Sequence, residues 1–183
     1  MSQHSTSNES ISSPKIGVLL TNLGTPDAPT KAAVKPYLKE FLSDPRVIEP
    51  PPPRWLWLLI LNGIILNIRP KKSAKKYQSV WNTHGEGSPL LAISKKQKSA
   101  VEVALNKQSP GKFIITLGMR YGNPSIGSAL KELESQNCEK ILVLPLYPQY
   151  ASSSTGSTFD AVNNEIKKWR NIPQLRFIES YND

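Results

Sequence analysis

Four short, mostly apolar runs recur along the chain and alternate with stretches of helical periodicity. Runs of this kind, rich in β-branched residues, are typical of strands that are covered on both faces. They lie at Ile16–Leu20, Phe113–Leu117, Ile141–Leu146 and Leu175–Ile178. Because helical patterns separate successive runs, the order predicts an α/β domain with a parallel β-sheet flanked by helices.

Capping patterns predict where the helices between these runs begin. Pro36 predicts that the first helix starts late or kinks. Ser94 followed by Gln97 forms a capping box, which predicts the start of a later helix. Asn123-Pro124 predicts a cap followed by proline at the first helical position, and Ser157 predicts the cap of the last helix.

Composition narrows the class of protein. The chain has 183 residues, of which 38% are hydrophobic, so it can bury the core of one domain. Its single cysteine excludes a disulfide scaffold and a metal cluster held by this chain's cysteines alone.

No apolar run reaches the roughly 18 residues of a spanning helix. Residues 1–14 are rich in Ser and Asn and lack a signal-peptide core. We therefore predict a disordered tail over 1–14, a domain over 15–183 and a cytoplasmic location.

Basic charge is concentrated in one stretch. The formal net charge is +9, and no acidic residue lies between Pro50 and Gly85. The basic residues of that stretch are Arg54, Arg69, Lys71, Lys72, Lys75 and Lys76. It also contains Trp55–Ile68, a segment in which 11 of 14 residues are apolar. A run of this length is more often a buried helix or an interfacial segment than a membrane span.

Two interpretations of this apolar segment stay open. It is either a core helix followed by a solvated basic turn, or an exposed apolar lip, over residues 54–70, that meets an anionic membrane surface. Two tryptophans beside four prolines favour the lip. Its predicted contact residues are Trp55, Trp57, Leu58, Ile60 and Leu61. A nucleic-acid partner is disfavoured, because the aromatic residues sit together rather than interleaved with Lys and Arg.

The segments that follow the first three predicted strands are the place to look for a ligand site, since ligands bind outside the carboxyl ends of parallel strands. These segments are 21–26, 118–122 and 147–157, and none carries a phosphate-binding glycine motif. The third is rich in Ser and Thr, and it either binds an anion or only caps the helix that follows. Arg120 and Tyr121 either clamp a carboxylate and stack on a flat ligand, or form a surface ion pair.

Candidates for acid–base chemistry are few. His84, with Glu86 two residues on, could act as a proton shuttle or metal ligand, but a solvent-exposed loop histidine is the favoured interpretation. The sequence has no HExxH motif, no cysteine pair and no recognisable Ser/His/Asp set. By its own chemistry, the chain therefore resembles a binding domain more than a complete catalyst.

Five segments carry a resemblance to a known family. They are LLTNLGTPD at Leu19–Asp27, YLKEFLSDPRVIE at Tyr37–Glu49, GEGSPL at Gly85–Leu90, MRYGNP at Met119–Pro124 and LPLYPQYASSSTGST at Leu144–Thr158. In this order and spacing they resemble the N-terminal half of ferrochelatase. That enzyme inserts ferrous iron into protoporphyrin IX in the last step of haem biosynthesis.

The resemblance implies a fold and a set of binding residues. The family has two similar Rossmann-like, chelatase-type domains with the porphyrin in a cleft between them, and this chain matches one of the two. The apolar segment matches the family's active-site lip, which faces a membrane, and nearby basic groups would suit the porphyrin's propionates. The positions implied to bind and orient the macrocycle are Leu23, Arg46, Arg120, Tyr121, Tyr147, Tyr150, Ser152, Ser153, Ser154 and Thr155.

The implied reaction depends on residues that do not match this chain. The family distorts the porphyrin so that its pyrrole nitrogens become accessible to the metal. A histidine then takes the pyrrole protons, and a glutamate assists. The histidine corresponds to a position just beyond Asp183. We therefore expect an absent C-terminal domain, no catalytic residue or resident metal site in this chain, and no activity from it alone.

The resemblance also implies partners. These are protoporphyrin IX, ferrous iron as a substrate, and the inner face of a membrane through peripheral contact. The family uses no organic cofactor. Some members place a cysteine ligand of a 2Fe–2S cluster where this chain has Ser152, so no cluster is expected. Two alternatives stay open: a non-catalytic porphyrin- or anion-binding fragment, and a related chelatase that inserts cobalt or nickel.

Overall fold

The computed structural model describes residues 14–49, 53–83 and 87–181. Residues 1–13 of the predicted tail lie outside this part of the chain, as do His84 and Glu86.

Four parallel strands form the sheet, in the order β2-β1-β3-β4. Their bounds are Ile16–Thr25 for β1, Phe113–Gly122 for β2, Lys140–Pro145 for β3 and Gln174–Phe177 for β4. Each strand overlaps one of the four apolar runs, and helices flank the sheet. The predicted fold class, an α/β domain with a parallel sheet, is therefore confirmed.

Six α-helices and two π-helical turns connect the strands within the described residues. The helices are α1 (Lys31–Ser43), α2 (Arg54–Ile60), α3 (Leu66–Val80), α4 (Pro89–Gln108), α5 (Ile126–Ser135) and α6 (Ser157–Ile166). The π-helical turns are Leu61–Ile65 and Ser152–Gly156. Helices α1 to α4 all lie between β1 and β2, so this one connection carries most of the helical residues.

Both faces of β1 are covered, which explains its continuous apolar sequence. Leu19 points to the face covered by α5 and α6, where it packs in one cluster with Leu133 and Val162. Val18 and Leu20 point to the opposite face and lie in the cluster that packs against α4. Strands in this position lack the alternation of polar and apolar residues seen at half-exposed sheets.

Beyond the carboxyl end of the sheet, a third cluster joins α1, the turn after α2 and α3. Tyr37 and Leu38 of α1 pack there with Leu61, Leu66 and Tyr121. Tyr121 belongs to β2, so this cluster fixes the α1–α3 unit to the end of the sheet. The aromatic rings of Phe41 and Tyr121 meet edge to face with centroids 5.1 Å apart.

The predicted late start of the first helix is wrong, and so is the predicted start of the later helix at Ser94. Helix α1 begins at Lys31, where Thr30 accepts a hydrogen bond from the backbone of Ala33, and Pro36 lies inside the helix. Helix α4 begins at Pro89. Ser94 is therefore not a cap: it is buried within α4, and its hydroxyl accepts a hydrogen bond from the Asn22 side chain.

The last two helix starts also differ from the prediction. Ser125, not Asn123, caps α5 by accepting a hydrogen bond from the backbone N–H of Ser128. A π-helical turn leads directly into α6, so Ser157 is the first residue of that helix rather than its cap. The Ser157 side chain is buried and makes contacts with other elements instead.

Strands β1 and β2 extend further than their apolar runs. They pair as far as Gly24 with Tyr121 and Thr25 with Gly122, so the predicted loops 21–25 and 118–122 are the ends of strands. Gly24 permits this approach, since its φ is +106° and a Cβ there would lie 1.8 Å from the Tyr121 carbonyl oxygen. A side chain at this position would separate the two strands.

Candidate functional site

The strand order defines the place where a ligand site is expected. Strand β1 lies between β2 and β3 in the sheet. The connection that follows β1 leads to β2 on one side of it, whereas β3 lies on the other side, so the connections diverge between β1 and β3. In open parallel sheets, ligands bind in the crevice outside the carboxyl ends of strands at such a point. Leu23 of β1 and Tyr147, which follows β3, both lie at this edge, where the Leu146 N–H donates to the Thr21 carbonyl oxygen at 2.7 Å.

A turn of hydroxyl residues follows β3 at the same edge. We call Ser152–Gly156 the hydroxyl turn. Its geometry rests on the Ala151 carbonyl, which accepts from the backbone N–H groups of Ser154 and Gly156 at 3.2 Å each. Ser152 and Ser153 are exposed, whereas Thr155 is buried and its hydroxyl has no hydrogen-bond partner among the residues that the structure describes. Ser154 is half-buried, and its hydroxyl donates to the Ala151 carbonyl at 3.4 Å, so the two exposed serines are the most accessible hydroxyls of this turn.

The two tyrosines before the hydroxyl turn have different environments. Tyr147 is partly buried, and its phenol bonds with the Thr158 hydroxyl at 2.5 Å and donates to the Ser154 carbonyl at 3.3 Å. Burial raises the pKa of Tyr147, so the phenol stays protonated at neutral pH. Tyr150 is 56% exposed. Tyr147 thus supports the turn, and Tyr150 offers an open aromatic face.

A buried carboxylate lies beneath this edge. Asp44, directly after α1, is 6% exposed, and its Oδ2 accepts from Arg120 Nη2 at 2.5 Å, the Tyr121 hydroxyl at 2.8 Å and the Ser157 hydroxyl at 2.5 Å. Its Oδ1 accepts from the Arg46 backbone N–H at 2.8 Å. Burial alone would raise the pKa of Asp44, but these hydrogen bonds and the Arg120 charge hold it below its usual value. Asp44 is therefore ionised at neutral pH.

Arg120 and Tyr121 both point into this network. Tyr121 is fully buried, so it has no exposed ring face on which a flat ligand could stack in this structure, which corrects that expectation. Arg120 also donates through Nε to the carbonyl and hydroxyl oxygens of Ser157, and its ion pair with Asp44 is partly buried rather than an open surface pair. Burial raises the pKa of the Tyr121 phenol. Both side chains thus join β2 to α1 and α6.

Arg46 holds the start of α6 from the side. Its guanidinium forms a two-point ion pair with Asp160, in which Nη2 lies 3.0 Å from Oδ1 and Nε bonds Oδ2. The hydrogen bond to Asp160 raises the pKa of Arg46. Gly156 leaves room for this side chain, since a Cβ there would lie 2.8 Å from Nη1. Nη1 also lies 3.5 Å from the Ser152 hydroxyl, so Arg46 remains near the hydroxyl turn.

A cavity of about 180 Å³ brings several predicted residues together. Its lining includes Arg46, Tyr150 and Thr155, which were predicted to bind substrate. The same cavity is lined by Phe159 and Phe177, whose rings meet edge to face with centroids 5.5 Å apart. Leu23 is not part of this cavity; it packs against the cluster of α1 to α3.

The apolar segment forms an exposed surface, and the alternative of a core helix is wrong for most of it. We define the apolar lip by its exposed side chains: Trp55, Leu56, Leu58, Leu59, Ile60, Ile64 and Ile68. Two predicted members differ. Leu61 is fully buried, so the expectation that it is exposed is wrong, and Trp57 is half-buried because its indole N–H donates to the Leu42 carbonyl at 2.9 Å. These two residues anchor the lip to α1.

Polar interruptions in the lip maintain its helical backbone. Asn62 donates to the Leu58 carbonyl at 2.7 Å, and Asn67 donates to the Gly63 carbonyl at 2.7 Å. A π-helical turn leaves carbonyls without their usual partners, and short amide side chains can satisfy them. The basic residues that follow the lip on α3 are all exposed: Arg69, Lys71, Lys72, Lys75 and Lys76.

Sequence reasoning missed Asp44 entirely and gave Ser157 the wrong role. A signal was available for Asp44, because an acidic residue directly after a helix and two positions before Arg46 is well placed to bond backbone and guanidinium groups. Phe159 and Phe177 gave no local signal, since their contact joins α6 to β4.

Within the described ranges, no group of three or more His, Cys, Asp or Glu side chains could hold a metal ion. The helices of those ranges include none with the length and apolarity needed to cross a membrane.

These features define the class as a doubly wound parallel α/β domain with a polar turn and an apolar lip at its carboxyl edge. The ferrochelatase family model matches residues 15–183, and the chain belongs to the ferrochelatase family. It is 61% identical over 170 residues to the ferrochelatase of Hydrogenovibrio crunogenus, covering 93% of this chain and 45% of that protein. It is 53% identical to that of Nitrosomonas europaea and 54% identical to that of Idiomarina loihiensis, covering 92% of this chain and 45% of each relative. The chain thus spans about half the length of these relatives.

Proposed function

We propose that this chain forms the porphyrin-binding part of a ferrochelatase, which inserts ferrous iron into protoporphyrin IX to give protohaem. The observation that carries the proposal is that the hydroxyl turn and the apolar lip lie at one edge of a ferrochelatase-family domain. Tyr121 links them, since its ring lies in the cluster beneath the lip and its hydroxyl lies 3.0 Å from that of Ser157, next to the turn.

A porphyrin is a flat apolar ring with two carboxylates, and the edge offers matching groups. Tyr150 provides an exposed aromatic face, and Ser152 and Ser153 provide exposed hydroxyls. The exposed cations of α3, directly after the lip, suit the two propionates. We assign these residues to binding and orienting the macrocycle, and none of them to proton transfer.

The reaction itself is assigned to the whole enzyme. Distortion of the ring exposes the pyrrole nitrogens, and binding energy elsewhere on the macrocycle drives that strain. We place the base that removes the pyrrole protons in the part of the relatives that this chain does not match. Ferrous iron is a substrate, and we propose that no organic cofactor and no iron–sulfur cluster takes part. Ser152 has no thiolate to offer a cluster, and Cys138 is buried at the opposite end of β3.

We also propose that the lip makes peripheral contact with the cytoplasmic face of a membrane. Trp55 and Leu59 are each 61% exposed, and such contiguous apolar surface marks interaction sites. Exposed basic residues adjoin the lip, and such residues attract anionic headgroups. A membrane contact at this position would let an apolar porphyrin reach the edge without crossing water.

A binding titration tests the first part of the proposal. Protoporphyrin IX should bind the purified chain saturably, with a shifted Soret band and quenched tryptophan fluorescence. Tyr150→Ala combined with Ser152→Ala should weaken binding by at least about threefold, the effect of one lost contact. Val103→Ala, at an exposed position of α4, is the matched control. Absence of saturable binding by the wild-type chain would contradict the proposal.

A metallation assay tests the second part. The chain alone should not insert Fe²⁺ above a no-protein control, whereas the chain mixed with the C-terminal half of the Hydrogenovibrio crunogenus enzyme should do so. Porphyrin binding without turnover in the mixture would indicate a non-catalytic binder. Competition with Co²⁺ and Ni²⁺ checks the metal; the relatives compared here are all named ferrochelatase, so nothing favours another metal.

A further inference from the structure

The buried carboxylate of Asp44 contacts three separate parts of the fold. It accepts from the backbone that follows α1, from Arg120 and Tyr121 at the end of β2, and from Ser157 at the start of α6. The last three donors lie 76, 77 and 113 positions away in the sequence. A single anion thus determines how these elements meet.

The contact with Ser157 reaches the hydroxyl turn directly. Ser157 is fully buried and follows Gly156, the last residue of the turn. Two residues from Asp44, Arg46 binds Asp160 of the same helix and lies against Gly156. The segment after α1 therefore holds the start of α6 at two points, one beneath the turn and one beside it.

Arg120 and Tyr121 are held by the same anion. The Tyr121 hydroxyl and Arg120 Nη2 both donate to Asp44 Oδ2, and the Arg120 guanidinium lies 4.4 Å from the centre of the Tyr121 ring. The Tyr121 hydroxyl and the Nε and Nη2 atoms of Arg120 are thus engaged within the protein rather than directed at a ligand. Their contribution to the site acts through the position of Ser157 and of the end of β2.

We propose that Asp44 is a positioning residue for the site: through Ser157 it fixes the hydroxyl turn in the conformation that receives the macrocycle. The inference rests on the proposed function for the identity of the ligand. The positioning itself concerns the ligand-free protein and stands on the geometry of Asp44, Ser157 and the turn. It predicts a local loss of order at the turn when the Asp44–Ser157 link is removed.

Hydrogen exchange on the whole chain tests this link. In Ser157→Ala, the amides of Ser154 and Gly156, which bond to the Ala151 carbonyl, should exchange about tenfold faster, as expected for the loss of roughly one buried hydrogen bond. Amides of β1 should be unchanged, because Asp44 keeps Arg120 and Tyr121. Ser125→Ala, which removes the hydroxyl at the start of α5, is the matched control and should affect α5 alone.

A second readout separates positioning from stability. Ser157→Ala should raise the protoporphyrin IX dissociation constant about fivefold, while Ser125→Ala leaves it unchanged. If Ser157→Ala does not fold, Ser157→Cys, which keeps a side chain of similar size but donates only a weak hydrogen bond to Asp44, should give the same local change to a smaller extent. Exchange that rises equally in all elements, or not at all at the turn, overturns the proposal. If the wild-type chain binds no porphyrin, the proposed function fails, and the exchange at the turn still decides the positioning role.

Discussion

The polar network around Asp44 and the apolar lip depart from ordinary burial in opposite ways. In the network, a buried carboxylate pairs with a partly buried guanidinium, and each has hydrogen-bond partners. In the lip, tryptophan and leucine side chains are exposed to solvent. Charged groups are seldom buried unless they are paired, and large contiguous apolar patches are seldom exposed.

This difference in burial indicates how the Asp44 network and the lip each contribute to the candidate site. The buried network is internally satisfied, so it determines shape and has little left to offer a ligand. The lip exposes apolar side chains to water, so it is suited to contact with an apolar surface or ligand. The hydroxyl turn lies between these extremes, with Thr155 buried and Ser152 exposed.

Replacement of Asp44 should cause the largest change. Asp44→Ala leaves the partly buried Arg120 without its anion, and loss of one partner of a buried pair costs up to about 3–5 kcal/mol. The free energy of unfolding, measured in urea, should fall by that amount. Asp160→Ala removes a carboxylate from a more exposed pair and is the control, with a clearly smaller loss. Equal losses of unfolding free energy in the two variants would show that the Asp44 network stabilises the fold no more than an exposed ion pair does.

Two leucines in one segment should differ sharply in stability. Leu61 is fully buried whereas Leu59 is 61% exposed. Leu61→Ala should lower the free energy of unfolding by about 2–5 kcal/mol, because a buried side chain leaves a cavity. Leu59→Ala should change it by less than about 0.5 kcal/mol. A similar loss for both would mean that the lip is folded against the core.

Membrane binding should depend on the exposed part of the lip. Trp55→Ser combined with Leu59→Ser should weaken partitioning onto vesicles of phosphatidylcholine and phosphatidylglycerol by at least about tenfold, because less apolar surface leaves water. Co-sedimentation measures the effect. Val103→Ser combined with Ile172→Ser removes equally exposed apolar residues elsewhere and should have no such effect. If both double variants bind alike, the lip is not the contact surface.

A single lysine beside the lip should have a smaller effect. Lys72→Gln should reduce binding to anionic vesicles about fivefold, since each basic residue near such a surface contributes about 1 kcal/mol. Binding to purely zwitterionic vesicles should not change. Lys96→Gln, at an exposed position of α4, is the control. A loss on both kinds of vesicle would argue against an electrostatic role for Lys72.

The smallest effect should be a pH dependence that arises from Asp44. Its pKa in the folded protein lies below the ordinary value of 3.8. The ionised carboxylate therefore stabilises the folded state above that value, and this contribution is lost as pH falls through the folded pKa. The difference in unfolding free energy between wild type and Asp44→Asn should narrow below about pH 4. A constant difference across this range would show that Asp44 is not ionised in the network.

Much of the fold could be predicted because its signals are local. The four strands coincide with apolar runs, since burial on both faces leaves no polar positions within them. Helix starts were less predictable. Ser94 has the local pattern of a cap, but Ser88 and Pro89 stand at the start of α4, and Ser94 packs inside it against Asn22.

The candidate site could be located from the sequence but not assembled from it. The predicted parallel sheet and the Ser/Thr-rich segment indicated the carboxyl edge of the sheet, where the hydroxyl turn lies. The partners of each side chain were not predictable: Arg120 and Tyr121 are neighbours near the end of β2, and both donate to Asp44, which lies 76 and 77 positions away. The exposure of the segment from Trp55 was predicted, but not that Leu61 anchors it.

The sequence by itself determined the class of domain, the edge that carries the site, the concentration of basic charge and the family. Periodicity, composition and motifs are properties of neighbouring residues, so they can be identified without a fold. Only the tertiary structure decided that Asp44 joins β2 to α6 and that Arg46 pairs with Asp160. Those contacts connect residues 76 to 114 positions apart, and the energy of a buried charge depends on every partner around it.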